Sequence, residues 1–218
     1  MTGALAIWND CAPEGLAHFE RWYIREHLQE RVAVPGFRFG QRYEAVAGND
    51  RRFFAFYEVD SPGVLTSPAY LERLENPTPW TREAMTSFRR MVRTVCDVRV
   101  AAGDLVGAYA VVVRADGAME PAPEAEALVA GLAREDGVAR AQLWTAAARQ
   151  TPGDTAEMRV RGRDQLCAGA LVVECLRRSD AERVASALAS GLPAGLGISG
   201  GHALTVYALL CLHQKLQG

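Results

Sequence analysis

The chain has 218 residues, of which 49% are apolar, and a formal net charge of −2. That charge gives no electrostatic basis for binding nucleic acid or an acidic membrane surface; Lys215 is the only lysine, so the basic residues are nearly all arginine, as genomic base bias would make them. Five scattered cysteines with no CxxC pair read as small core residues in a reducing compartment, the opening MTGALAIWND lacks the basic n-region of a signal peptide, and no stretch reaches the roughly 18 apolar residues of a membrane span, which together predict a cytoplasmic protein.

Ala4 to Trp8 is an apolar run ending in Asn-Asp, as a strand entering a turn. From Glu14 to Val34 the spacing becomes helical, with Leu16, Phe19 and Tyr23 in one row and Ala17, Ile24, Leu28 and Val32 in another, until Pro35-Gly36 stops it. Phe37, Phe39, Gln41 and Tyr43 then alternate with Arg38, Gly40, Arg42 and Glu44, a strand with one oily and one polar face. Asn49-Asp50 makes a turn, and Phe53 to Val59 is apolar at nearly every position, as a central strand is. A helix is predicted from Val64 to Leu74 and a short one from Thr78 to Met85 with Pro79 at its first position. Val92 to Val100 closes the unit as an alternating strand. The order β-α-β-β-α-β is the ferredoxin-like arrangement.

The second half repeats that order: strand Ala108 to Arg114, helix Glu124 to Arg134, strands Ala139 to Ala147 and Leu166 to Leu176, helix Asp180 to Ala189 and strand Leu204 to Leu212. Gly36, Gln41 and Tyr43 recur as Gly137, Gln142 and Trp144, Glu58 as Glu174, and Thr94-Val95 as Thr205-Val206. The chain is therefore expected to be α+β, with one ferredoxin-like repeat in residues 1–102 and a second, more apolar one in residues 106–218, joined at Ala102-Gly103-Asp104. The polar segment Arg149 to Asp164, inserted between the middle strands of the second repeat, is either a lid or a floppy hairpin. A ferredoxin-like unit leaves one sheet face bare, and two such faces packed together close a barrel with a cavity between them.

The segment from Phe19 to Ala45, FERWYIREHLQERVAVPGFRFGQRYEA, resembles the dimeric α/β-barrel superfamily and, within it, the EthD-like branch, through the aromatic pair Trp22-Tyr23, then His27, then Pro35-Gly36. Gln29 stands where that branch often has a proline two residues after the histidine. The resemblance implies a cofactor-free protein whose relatives include isomerases, cyclases, monooxygenases, dehydratases and some haem binders, so fold alone does not fix function.

His27 falls between the two apolar rows of the first helix, in line with Glu20 and Arg31. It is a candidate general base or acid, with Tyr23 or Tyr43 polarising a carbonyl. The structural alternative is a histidine held by the last carbonyls of its helix. Leu128 occupies the equivalent place in the second repeat, so such a site exists once. If Phe37, Phe39 and Tyr43 face their helices, Arg38, Arg42 and Glu44, and likewise Arg93, Asp97 and Arg99, point into the barrel, giving one charged and one oily wall. Arg42, Arg38 and Arg93 would then hold an anionic small molecule, or else the charges pair among themselves, Arg42 with Glu58 for instance. Trp80 either closes the barrel mouth over a ligand, with Met85 and Phe88 behind it, or plugs one end. Trp22, sharing an outer helix face with His18, Arg25 and Gln29, would mark a homo-oligomer contact if exposed. Gly195-Leu-Gly197-Ile-Ser-Gly200 matches GxGxxG but follows a helix and precedes a strand, the reverse of dinucleotide binding, and reads as a flexible turn. The expectations are a cofactor-independent enzyme on a small aromatic or polyketide-like carbonyl compound, a non-catalytic binding or scaffold protein, or a haem-binding barrel with a histidine axial ligand. No metal-ligand spacing stands out.

Overall fold

The computed structural model describes residues 1–48 and 50–215; Asn49 of the expected turn lies outside them. Ten strands are described: β1 Gly3–Cys11, β2 Phe37–Gly48, β3 Phe53–Val59, β4 Phe88–Ala102, β5 Tyr109–Ala115, β6 Ala118–Met119, β7 Val138–Ala146, β8 Gly169–Cys175, β9 Ile198–Ser199 and β10 His202–Gln214. The helices are α1 Leu16–Trp22, α2 Leu28–Ala33, α3 Pro68–Glu75, α4 Pro79–Met85, α5 Ala125–Leu132, α6 Ala156–Arg161 and α7 Arg178–Ser190. Eight strands close an antiparallel barrel in the order β1-β3-β2-β10-β5-β8-β7-β4. Read within each half, that order is β4-β1-β3-β2 and then β10-β5-β8-β7, the same arrangement twice. The two four-stranded sheets meet at two seams, β2 with β10 and β4 with β7. The α+β barrel expected from the repeated element order is the fold observed.

Local chemistry sets the helix limits. Gly36 adopts φ +89° after α2, a conformation glycine takes without penalty. The helix expected over Val64 to Leu74 divides, because Pro68 cannot continue a preceding turn: Pro62–Thr66 is a 3-10 turn, and Ser67 then caps α3 by accepting from the Tyr70 amide. Thr78 caps α4 in the same way, with Pro79 in its first turn. The expected glycine turn near Gly195 is more ordered than predicted: β9 pairs with β6, and Gly197 is left-handed at φ +64°.

The barrel interior is filled. Trp8, Tyr43, Phe54, Phe56, Trp144 and Tyr207 form a continuous aromatic core, with Ala110, Val112, Ala170 and Val172 opposite. Phe54 stacks on Trp8 at 5.1 Å and on Tyr43 at 5.6 Å between ring centroids. Burying each such ring contributes about 1.5–3 kcal/mol, and the close packing leaves no place for the hollow expected there. A polar layer crosses the interior: the Tyr43 hydroxyl donates to Glu174 at 2.9 Å and the Gln41 amide at 3.2 Å, while Arg140 reaches Glu58 at 2.5 Å.

The expected sorting of charges is also reversed. The β2–β3 register shifts between Phe37 and Phe39, so Arg38 occupies a bulge and the two phenylalanines face opposite sides. Phe37 packs under the helices, whereas Phe39 and Tyr43 join the interior core. Arg42 consequently lies outside the barrel wall, beneath α1.

Candidate functional site

A small cavity lies between the outer face of the first sheet and its helices. It is about 20 Å³, room for about one water molecule, and His27 lines it. The helix changes pitch to expose that residue: Tyr23–His27 is a π-helical turn between α1 and α2, and the Leu28 amide donates to the Tyr23 carbonyl five residues back. Such turns widen a helix locally and are common at functional sites. No periodicity in the sequence signals this one.

Leu5, Ile7, Met85, Phe88 and Met91 supply the apolar lining, and Tyr23, Tyr57 and Tyr70 supply phenols. The Tyr23 and Tyr57 hydroxyls are 3.4 Å apart. Arg31, Arg93, Arg161 and Glu157 complete the wall. Arg93 donates to the Tyr70 hydroxyl at 2.7 Å and to Thr151 at 3.1 Å, with the Asp164 carboxylate 4.0 Å away. Arg31 pairs with Glu157, and Arg161 with Asp164, all four side chains being almost wholly buried. Three polar atoms in this wall have no hydrogen-bond partner among the described residues: His27 Nδ1, Arg31 Nη1 and Arg161 Nε.

Burial, followed by the charges of Arg31, Arg161 and Arg42, holds the His27 pKa well below its ordinary 6.5. The imidazole is therefore neutral at pH 7 and free to accept a proton or a hydrogen bond. Burial disfavours the Arg31 charge, but Glu157 and then Tyr70 outweigh it, leaving the guanidinium more basic than usual. Burial also raises both phenols, Tyr57 well above the ordinary value, so they serve as hydrogen-bond donors.

Residues 149–164 form the roof. They fold into α6 with Thr155 as N-cap, and Glu157 and Arg161 face the cavity. On the other side of this segment is an open groove of about 420 Å³, lined by Gln150, Thr151, Met158 and Asp164 and sharing Arg93 with the inner cavity. The segment is thus lid-like, and it belongs to the second half while covering a cavity of the first.

Of the residues singled out in the sequence, Tyr23, His27 and Arg93 meet at this cavity. Tyr43 does not: it is inside the barrel, bonded to Glu174. Arg42 makes two bonds to Glu20, at 2.8 and 2.9 Å, and lies over the rings of Tyr23, Phe19 and Phe53; it pairs with neither Glu58 nor the barrel interior. Arg38 sits half-exposed on the bulge, bonded to Asp60 and Glu58. Trp80 packs near His18, centroids 6.1 Å apart, and is not in the cavity wall, although Met85 and Phe88 are. Trp22 is fully buried, because α4 covers the helix face expected to be open and Thr81 accepts its indole N–H at 3.0 Å; a Trp22-centred oligomer contact is not available. Sequence reasoning missed Tyr57, Tyr70, Glu157 and Arg161, and counted Arg31 only as part of a polar row.

Haem does not fit here. The Trp22 indole is stacked on the histidine in the cavity wall, at 4.2 Å between ring centroids, so its ring is not presented as an axial ligand. Among the described residues no group of His, Cys, Asp and Glu could hold a metal ion. Among the described residues no helix is long and apolar enough to cross a membrane.

The fold is that of the dimeric α/β-barrel proteins. An anthrone oxidase-like protein superposes with a TM-score of 0.62 at 12% identity, over 98% of this chain and 92% of that one. A provisionally assigned monooxygenase of Fusobacterium nucleatum subsp. nucleatum gives 0.55 at 8% identity over 98% and 94%, and a provisionally assigned chlorite dismutase gives 0.52 at 11% over 96% and 95%. Identities this low define a shared fold and nothing finer. No protein-family model and no curated protein matches the sequence.

Proposed function

We propose that the chain is a cofactor-independent enzyme that removes a proton from a small aromatic or polyketide-like carbonyl compound, with the chemistry in the first repeat, 1–102, and the lid supplied by the second, 106–218. The observation that carries this reading is the unpartnered, neutral His27 beside unpartnered donor nitrogens of Arg31 and Arg161 in an otherwise apolar cavity. An unpaired buried polar atom costs about 1–3 kcal/mol, so three together point to a partner that arrives from outside. The EthD-like pattern of Trp22-Tyr23, His27 and Pro35-Gly36 supports the same assignment.

In this mechanism His27 is the general base. It takes the acidic C–H or phenolic proton of the substrate, and the resulting enolate oxygen is stabilised by the Tyr23–Tyr57 hydroxyl pair and the arginines. The cavity as it stands holds about one water, so a substrate of this size enters only as the 149–164 roof lifts, and the apolar lining then strengthens each of these contacts. The enolate then takes up its proton at another carbon, in an isomerisation, or reacts with dioxygen. Anthrone is a suitable first substrate, since its acidic methylene becomes a carbonyl when anthrone and dioxygen yield anthraquinone and water. The test follows anthrone consumption in the wild type and in His27→Ala, with folding checked by circular dichroism. Loss of turnover in a folded variant supports the assignment; turnover equal to the wild type overturns it.

A second reading, a non-catalytic binding or scaffold protein, draws on the pairing of Arg42 with Glu20 and of Arg31 with Glu157. It predicts no turnover with any carbonyl substrate and no effect of ligands on the lid.

A further inference from the structure

We propose that Arg31 is the subsite for an anionic oxygen group of the ligand, that the Glu157 carboxylate fills it as an internal substitute while the lid is closed, and that the ligand is a small carboxylate or enolate on an apolar body. This rests on the reading of the cavity as a small-molecule site and specifies what enters it.

Four observations converge. Arg31 and Glu157 pair at 2% and 4% side-chain exposure, across 126 residues of sequence and from opposite halves of the chain. A purely structural buried ion pair is stable only when its remaining donors are satisfied, yet Arg31 Nη1 has no partner and neither does the neighbouring Arg161 Nε. Glu157 is carried by a six-residue helix flanked by Gly153 and Gly162, and a side chain added at either glycine would meet nothing within 4 Å. The lid is thus loosely packed at both ends. Finally, the outer groove of about 420 Å³ is of ligand size, and Arg93 lines both it and the inner cavity.

The exchange conserves charge: one carboxylate leaves Arg31 as another takes its place, so no unpaired buried charge is created. A neutral ligand gains nothing from displacing Glu157. An anion entering from the groove meets Arg93 first and then Arg31, and its apolar body is left against Leu5, Ile7 and Met85, with its acidic carbon or hydroxyl toward His27.

The experiment titrates benzoate and 1-naphthoate, and their neutral primary amides, into the wild type and Glu157→Gln by calorimetry. Hydrogen exchange of residues 155–164 in the wild type is followed in parallel. The glutamine keeps an oxygen for Arg31 while removing the competing charge. The expected result is that the acids bind and the amides do not, that E157Q binds the acids about tenfold or more tightly because the closed state no longer competes, and that acid binding speeds exchange across α6. If acid and amide bind alike, or if folded E157Q binds the acids no better than the wild type, the exchange of carboxylates is overturned while the small-molecule site stands. If neither class binds to either protein, the site reading falls with it. Exchange in α6 unchanged by a bound acid overturns displacement of the lid irrespective of how E157Q folds.

Discussion

The His27 imidazole lies over the Trp22 indole, with ring centroids 4.2 Å apart and planes 30° from parallel. Protonating that ring would place a charge in a buried aromatic nest that also contains Tyr23 and Tyr57. In the unfolded chain His27 binds a proton near its ordinary 6.5, whereas in the folded protein it does so only well below that value. As pH falls below 6.5 the unfolded state therefore takes up a proton that the native state refuses, and stability drops by up to about 1.4 kcal/mol per pH unit; above 6.5 this contribution is absent. Urea midpoints measured from pH 7.5 to 5 in the wild type and in His27→Gln should show the slope in the first and a shallower one in the second. Parallel curves would place the acid sensitivity elsewhere.

Tyr23 and Tyr43, paired as candidates in the sequence, should respond differently to loss of the hydroxyl. Tyr23→Phe removes one member of a 3.4 Å hydroxyl pair in the cavity wall and is expected to lower turnover by about 100-fold with little change in stability. Tyr43→Phe removes a donor from the buried Glu174 and is expected to cost about 1–3 kcal/mol of stability with kcat unchanged. Thermal melts and steady-state rates on the two variants decide the matter, and a kcat loss in Tyr43→Phe would contradict the placement of the site.

Arg42 is a structural cation. Replacing it by Met removes two charge-assisted bonds to Glu20 and contacts with three aromatic faces, an expected loss of about 2–3 kcal/mol. Ligand affinity of the folded fraction should be unaltered; a selective loss of binding in a fully stable variant would return Arg42 to the site.

Gly197 tolerates no side chain. Its φ is +64°, and a Cβ would lie 1.8 Å from the Glu120 carbonyl oxygen. Gly197→Ala is expected to cost about 1–3 kcal/mol and to loosen the β6–β9 pair, seen as faster amide exchange at Ala118 and Ser199.

The elements of both halves were legible because their periods are strong: Phe53 to Val59, apolar but for Glu58, is a strand buried on both faces, and the rows from Leu16 to Val32 form a helix. The repeated order also led directly to the barrel. What failed was the assignment of faces: in β4 the oily face of Val92, Cys96 and Val98 lines the barrel and Arg93 faces the helices, and in β2 the failure came at one residue. The bulge at Arg38 inverts the side on which the following residues of β2, Phe39 to Ala45, lie, so Arg42 and Tyr43 exchange places relative to a regular strand. Trp22 was misplaced because its cover comes from α4, some 60 residues away. Arg31 was visible as a polar residue in an apolar arc, but its partner Glu157 lies in an inserted segment whose composition suggests only a loop. His27 was legible as a polar group in a buried row, although the π turn that carries it was not.

The β2–β10 and β4–β7 seams both join the two halves, and together they turn eight strands into an unbroken hoop of backbone hydrogen bonds. Neither half can peel off without breaking both lines at once and baring four ribbons of unpaired amides and carbonyls. Calorimetry should accordingly record a single melting transition for the chain, and opening one half alone should be too costly to seed strand-to-strand association between molecules.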